Sequence, residues 1–248
     1  VGCSHDCKYC YAKSLLSFRG LWNPKNPSVA NVEKLKRKID KLRKGTIVRL
    51  GGMTDCFQPI ELDNRITYKI IKYLNKRRIG YLIVTKSSIV ANDEYLKIYD
   101  KDLAHFQITV TTTDDSKSVK YEKATVPSKR IEAIEKLYKN GFDVQVRLSP
   151  FIYEYIDFDI LNNIKCNKIL IEFLRVNHWI KQWFDIDYSK YTVKHAGYEH
   201  LPLSIKKQYL QKITGFEQIS VCEDVDEHFE YWKSNINHNK KDCCNLGG

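Results

Sequence analysis

The chain has 248 residues, 43% of them hydrophobic, and carries 41 Lys and Arg against 30 Asp and Glu for a formal net charge of +11. That length and apolar content suit one large α/β domain, or such a domain with a small appendage, and exclude a disordered chain. No apolar run approaches the roughly 18 to 20 residues of a membrane span and no signal-peptide core is visible, so a cytoplasmic protein is expected; the positive surplus favours a polyanionic partner, nucleic acid foremost, over a merely Lys-rich surface.

The chain opens on Cys3, Cys7 and Cys10, spaced C-x3-C-x2-C, with Tyr9 just before the third thiol and Tyr11-Ala12 just after it. Three thiols on one tight loop can face a single metal centre. On a [4Fe–4S] cube they leave one iron without a protein ligand, open to a small-molecule cofactor. Zinc sites usually show two C-x2-C pairs or a Cys/His set, and no second pair follows nearby. Buried, unligated cysteines are the remaining alternative. A metal-ligand loop in a chain of eight cysteines argues for a reducing compartment and against a disulfide framework.

Tyr11 to Phe18 predicts a short helix ending near Gly20. Val32, Leu35, Ile39 and Leu42 share one helical face, with Lys34, Arg37, Lys38, Lys41 and Lys44 on the other and Gly45 at the C-terminal end. Thr46 to Leu50 is a β-rich run leading into Gly51-Gly52-Met53-Thr54-Asp55-Cys56-Phe57-Gln58-Pro59-Ile60-Glu61, where a glycine pair after a strand lets the backbone approach a ligand or simply turn. Strand and helix patterns then alternate. Ile66, Ile70, Ile71 and Leu74 mark a helix and Tyr81 to Thr85 a strand. Asn92 is read as the cap of a helix with Tyr95, Leu96, Ile98 and Tyr99, before a strand from Phe106 to Thr112. Ser128 is read as the cap of a helix with Ile131, Ile134 and Leu137. Strands follow at Val144 to Leu148, stopped by Pro150, and at Ile169 to Leu174. This alternation implies βαβ units and a parallel sheet.

From 177 to 200 the chain is aromatic and irregular, a stretch that either packs over the open side of the sheet or stacks on bases. Ser204 is read as the cap of a helix with Ile205, Tyr209, Leu210 and Ile213. Cys222 follows a strand-like run from Phe216 to Val221, a helix lies near Asp226 to Asn235, and Cys243-Cys244 come after it. Three cysteines in this tail suggest a further metal site, an auxiliary [4Fe–4S] cluster first and zinc second, completed by Cys166 or Cys56; unligated thiols are the alternative. The expected division is 1–176 as a core and 177–248 as a C-terminal extension with a Cys-rich tail.

The cysteine loop, with its aromatic residue before the third Cys, is similar to that of the radical SAM superfamily. Gly2-Cys3 through Ala12, Thr54-Asp55-Cys56-Phe57-Gln58-Pro59-Ile60-Glu61, the strand from Thr109 to Asp115 with Glu122, Pro127, Ser128 and Arg130 beyond it, and Arg147-Leu148-Ser149-Pro150 resemble the spore photoproduct lyase-like branch, also called DNA repair photolyase-related. The resemblance covers residues 1 to about 150. It implies a partial (β/α)6 TIM-like barrel whose first strand precedes the cysteine loop; five strands are visible here, so the sixth is expected upstream of Val1. It implies a [4Fe–4S] cluster on Cys3, Cys7 and Cys10, reductive cleavage of S-adenosylmethionine (SAM) to methionine and a 5′-deoxyadenosyl radical, and removal of a substrate hydrogen. It also implies a reducing electron donor such as flavodoxin or ferredoxin. In the family the loop equivalent to Gly51-Gly52 is often Gly-Gly-Glu and receives the SAM amino group; Met53 replaces that Glu. By the same resemblance Tyr9 lies near adenine, Thr85, Ser87, Thr111 and Glu122 contact ribose or methionine, and Arg147 offers its fork to the SAM carboxylate. Modification or repair of a nucleic acid or nucleotide is the leading substrate class. Peptide or protein modification with an auxiliary cluster is the second reading, and a non-catalytic iron–sulfur or zinc protein that binds nucleic acid the third.

Overall fold

The computed structural model describes residues 2–239, 242 and 244. Its strands are β1 (Ile47–Leu50), β2 (Gly80–Thr85), β3 (Ala104–Val110), β4 (Asp143–Phe151), β5 (Lys168–Phe173), β6 (Val193–His195), β7 (Tyr198–His200) and β8 (Gln218–Val221). Six of them form one sheet in the order β1-β2-β3-β4-β5-β8, and every neighbouring pair is parallel. All six residues of β2 are buried, as are six of the seven in β3, which is the signature of strands covered on both faces and the reason these runs read as near-continuous apolar stretches. The result is the α/β, partial-barrel fold expected from the sequence. Its sixth strand, however, is drawn from the run before Cys222 and not from ahead of the cysteine loop: β8 pairs with β5 along Lys168 to Ile171.

The helices are α1 (Tyr11–Phe18), α2 (Val32–Ile39), α3 (Glu61–Asn64), α4 (Ile66–Arg77), α5 (Asp93–Leu96), α6 (Asp115–Ser118), α7 (Pro127–Lys139), α8 (Phe158–Asn162), α9 (His178–Trp183), α10 (Leu203–Leu210) and α11 (Asp226–Asn235). The crossover helices bury the faces their periodicity marks: Ile70, Ile71 and Leu74 on α4, and Ala133, Ile134 and Leu137 on α7. No helix among the described residues is long and apolar enough to cross a membrane.

Several local expectations are corrected. Helix α7 starts at Pro127, whose fixed φ and missing N–H suit a first turn, with Val126 as its cap. Ser128 therefore lies inside the helix and bonds Asp115 instead, its amide at 2.8 Å and its hydroxyl at 2.6 Å. Ser204 likewise lies inside α10, which is capped by Pro202. Asn92 does cap α5, but its side chain makes no capping bond and the helix spans only 93–96. Pro150 does not end β4; the strand runs on to Phe151 through a register shift after Leu148.

The aromatic stretch after β5 is ordered. Helix α9 begins with Asn177 accepting from the Ile180 amide at 2.9 Å. Strands β6 and β7 form an antiparallel hairpin whose two-residue turn, Ala196-Gly197, has both residues at positive φ. A backbone pairing between Val176 and Glu199 ties that hairpin to the end of β5.

Candidate active site

Backbone geometry holds the cysteine loop in place. A side chain on Gly2 would put its Cβ 1.9 Å from the Asn23 carbonyl, so only glycine lets the loop enter beside that segment. The amide of Lys8 donates to the Tyr121 carbonyl at 2.9 Å and that of Lys123 to the His5 carbonyl at 2.7 Å, stitching the loop to the chain just beyond α6. Asp6, at positive φ, pairs with Lys13 at 3.0 Å. Cys3, Cys7 and Cys10 all line one cavity of about 410 Å³, which opens at the C-terminal ends of the parallel strands, where ligands bind in such sheets.

A buried polar network sits beneath the loop. Glu122 and Arg130 form an ion pair with no exposed side-chain surface on either partner. Glu122 also accepts from the Tyr9 hydroxyl and from Thr111 at 3.1 Å, and the Cys7 thiol lies 3.9 Å from it. Arg130 donates to the Thr109 carbonyl at 3.1 Å, so the pair is locked to the end of β3.

On the far wall of the cavity, Gly51 has φ +91° and no room for a Cβ, which would fall 2.1 Å from the Val84 carbonyl; at Gly52 a Cβ would meet nothing and would project into open space. Asp55 fixes this loop. It accepts from the Thr85 hydroxyl and the Lys86 amide, both at 2.7 Å, from the Phe57 amide at 2.8 Å, and faces His5 Nδ1 at 3.4 Å. Burial alone would raise its pKa, but the charge and hydrogen bond of His5, together with the two amides, outweigh burial and hold the carboxyl at about 2.

The third wall carries Arg147, Glu172 and Arg175. Arg147 donates to Gln107 Oε1 at 2.8 Å and to Glu172 Oε2 at 2.5 Å, while Arg175 donates to Glu172 Oε1 at 2.7 Å and pairs with Asp224 at 3.2 Å. Burial pushes the Glu172 carboxyl up, yet the two guanidiniums outweigh it and the pKa falls below its ordinary value. The guanidinium of Arg147, expected to meet a carboxylate of SAM, is thus already engaged by a carboxylate of the chain.

Of the residues singled out for a cofactor, Tyr9, Gly51, Gly52, Thr85 and Arg147 line this cavity together with the three cysteines. Ser87, Thr111 and Glu122 stand outside its wall: Ser87 accepts from the Ile89 amide at 3.3 Å, and Thr111 and Glu122 belong to the network under the loop. The ring of Tyr9 packs edge-on against Tyr121 and Phe184, with Lys86 Nζ 5.6 Å above it. Sequence reasoning missed the contributions of His5, Asp55, Lys86, Glu172, Arg175 and Tyr198. For Asp55, its place between the glycine pair and Phe57 was the available signal; for Arg175, its position just past a buried strand.

The tail cysteines separate. Cys222 ends β8 and lines the same cavity as the loop thiols. The Cys244 carbonyl accepts from Gln145 Nε2 at 2.9 Å, and Cys243 lies outside the described residues. Cys166 is buried with its thiol 3.2 Å from the Val144 carbonyl, and Cys56 is half-buried. Among the described residues, the His, Cys and carboxylate donors that gather in threes within 4.8 Å of one another are His200, Glu223 and Asp224; there Lys206 pairs with Glu223 and Arg175 with Asp224.

The loop suits a cluster. Burial pushes the Cys3 thiol up to about 11 and the Cys7 thiol well above its ordinary range, so both carry a desolvation penalty as thiolates that only a cation would offset. Three thiols converge on one cavity, and the open face of Gly52 leaves room beside them.

Comparison with known proteins agrees. The family model for the Radical SAM superfamily matches residues 1–162. An uncharacterized protein of Methanocaldococcus jannaschii, MJ0683, is 30% identical over 210 residues, covering 79% of this chain and 78% of that protein. ORF301 of Acidianus two-tailed virus, also uncharacterized, is 25% identical over 162 residues, 60% of this chain and 53% of that one. Among solved structures, spore photoproduct lyase complexed with dinucleoside spore photoproduct superposes with a TM-score of 0.58 at 17% identity, over 89% of this chain and 74% of that one. Streptococcus suis SuiB bound to S-adenosylmethionine does so with a TM-score of 0.55 at 13% identity, over 92% of this chain and 49% of that one. With a family model spanning well over half its length and the matching cysteine loop at the mouth of its barrel, the chain belongs to the radical SAM superfamily of enzymes.

Proposed function

We propose that this enzyme modifies or repairs a nucleic acid or nucleotide. The observation that carries this reading is the charge on the cavity wall: Arg49 and Lys86 line it, and among the described residues neither is ion-paired to a carboxylate. An anionic substrate would supply the missing charge, and a net +11 chain would draw a polyanion toward it. Cys3, Cys7 and Cys10 would hold the cluster, and Tyr9, Gly51, Gly52 and Thr85 would border SAM; when bound, the pair supplies one-electron reducing power and a hydrogen-abstracting radical. We take residues 1–176 as the catalytic core and 177–248 as an extension that adds β8 to the sheet and Tyr198 and Cys222 to the cavity. This reading needs one cluster. An auxiliary cluster on Cys222, Cys243 and Cys244 is the competing version and goes with peptide modification.

Anaerobic reconstitution tests both. About four irons per chain, on the tetranuclear assumption, are expected in the wild type and in Cys222→Ala/Cys243→Ala/Cys244→Ala alike. With dithionite as reductant, 5′-deoxyadenosine formation is expected to rise when oligonucleotides or nucleotides are added and not when peptides are. Stimulation by peptides alone, with about eight irons falling to about four in the triple variant, would give the enzyme to peptide modification.

A further inference from the structure

Helix α1 leaves the cysteine loop with an unpartnered apolar stripe. Its buried face is Ala12, Ser14 and Leu16. On the other side Tyr11, Leu15 and Phe18, at i, i+4 and i+7, are 53%, 42% and 82% exposed, and Leu21 just beyond is 51% exposed. Large exposed rings grouped on one surface mark an interaction site more often than isolated ones do. Helix α9 faces the same rim: Trp179 and Trp183 stack with centroids 5.8 Å apart, and Lys13 of α1 places its Nζ 5.0 Å from the Trp183 ring. Both helices touch the cavity, α1 through Tyr11 and α9 through Ile180.

The charge around this rim is one-sided. Residues 8–44, from the cysteine loop to the end of the basic helical segment, hold eleven Lys and Arg against two Asp and Glu, so nine of the eleven net positive charges of the chain lie in that stretch. Rings among cations are the recognition chemistry of single-stranded nucleic acid, in which bases stack on aromatic faces and phosphates follow the positive surface. A duplex hides its base faces, and a cavity of about 410 Å³ that must also hold cofactor has room for a base only once that base has left its stack.

We propose that the rim formed by α1 and α9 is the docking platform for an unpaired stretch of nucleic acid, with bases stacked on Phe18 and Trp179 and phosphates along the cations of residues 8–44. This rests on the nucleic-acid reading above and adds to it where the strand lies and that it is single. The test is binding of a fluorescein-labelled mixed-sequence oligonucleotide, single-stranded or duplex, followed by anisotropy on the full chain. The wild type binds the single strand more tightly than the duplex. Phe18→Ala/Trp179→Ala, whose side chains project into solvent, weakens single-strand binding at least about tenfold, on the scale of base–aromatic stacking. An unchanged urea transition shows that this loss is not unfolding. If the double variant binds as the wild type does, the platform is wrong although the nucleic-acid reading survives. If the wild type binds no oligonucleotide, both fall. Unchanged oligonucleotide affinity with a raised half-saturation for flavodoxin as reductant would assign the rim to an electron donor. Tighter binding of duplex than of single strand would also overturn the proposal.

Discussion

Asp55 accepts hydrogen bonds from three elements that frame the cavity, the end of β2, its own loop and His5 of the cysteine loop, while its side chain is only 8% exposed. Its carboxyl titrates at about 2 in the fold against 3.8 when unperturbed. A carboxylate whose folded pKa is depressed contributes stability that is fully present above the unfolded value and is lost as pH falls through the folded one. The difference corresponds to about 2 kcal/mol at neutral pH. Asp55→Asn should therefore be less stable than the wild type by about that amount at pH 7, with the gap closing between roughly pH 4 and pH 2. Urea unfolding of both proteins across that range is the measurement; a gap that is the same at every pH would show that the charge of Asp55 plays no part. Gly51 works beside it in a different way, since only a residue without Cβ can carry the chain past the Val84 carbonyl.

At the scale of elements, the pair formed by Glu122, just past α6, and Arg130 on α7 joins the cysteine loop to the end of β3. Removing one partner of a buried pair leaves the other charged and unpaired in a dry site, at a cost of about 3 to 5 kcal/mol. Glu122→Gln keeps the shape and the hydrogen-bonding oxygen but removes the charge, so a loss of about 3 kcal/mol is expected. Glu122→Gln/Arg130→Met should recover at least half of it, because the stranded cation goes too. Equal destabilisation in single and double variants would mean that packing, not charge, sets the cost.

The same pair shows where the sequence was legible and where it was not. The buried strands β2 to β5 announced themselves through unbroken apolar runs between amphipathic helices, and the three cysteines through their spacing. Glu122 lies where a cofactor contact was expected, but its side chain turns under the loop toward Arg130, a rotation that no spacing encodes. The hairpin β6–β7 escaped because its strands have three residues each and Ala196-Gly197 lacks the Asn or Asp that usually signals such a turn. Strand β8 was noticed only as a strand-like run, since its place at the sheet edge depends on β5 and lies some fifty residues away in the chain.

Across the whole molecule, net charge is concentrated in its first quarter, and that asymmetry makes a prediction that binding alone does not. Lys34, Lys38 and Lys41 fall at i, i+4 and i+7 on and just beyond α2, all three are exposed, and none pairs with a carboxylate among the described residues. Neutralising exposed, unpaired lysines should leave folding stability within a few tenths of a kcal/mol, about the size of their favourable interaction with the C-terminal end of the helix. If a single strand lays phosphates along this face, each contact releases condensed counterion, and the logarithm of the binding constant falls against the logarithm of salt with a slope of about 0.7 per phosphate neutralised. Lys34→Gln/Lys38→Gln/Lys41→Gln should therefore bind a single-stranded oligonucleotide more weakly at low salt and lower that slope by about 2. The wild-type and variant curves should converge as salt is raised, because the stacking on Phe18 and Trp179 is untouched. A parallel shift with no change in slope would place the phosphates elsewhere on the surface, and identical curves would show that the charge of this helix does not meet the strand at all.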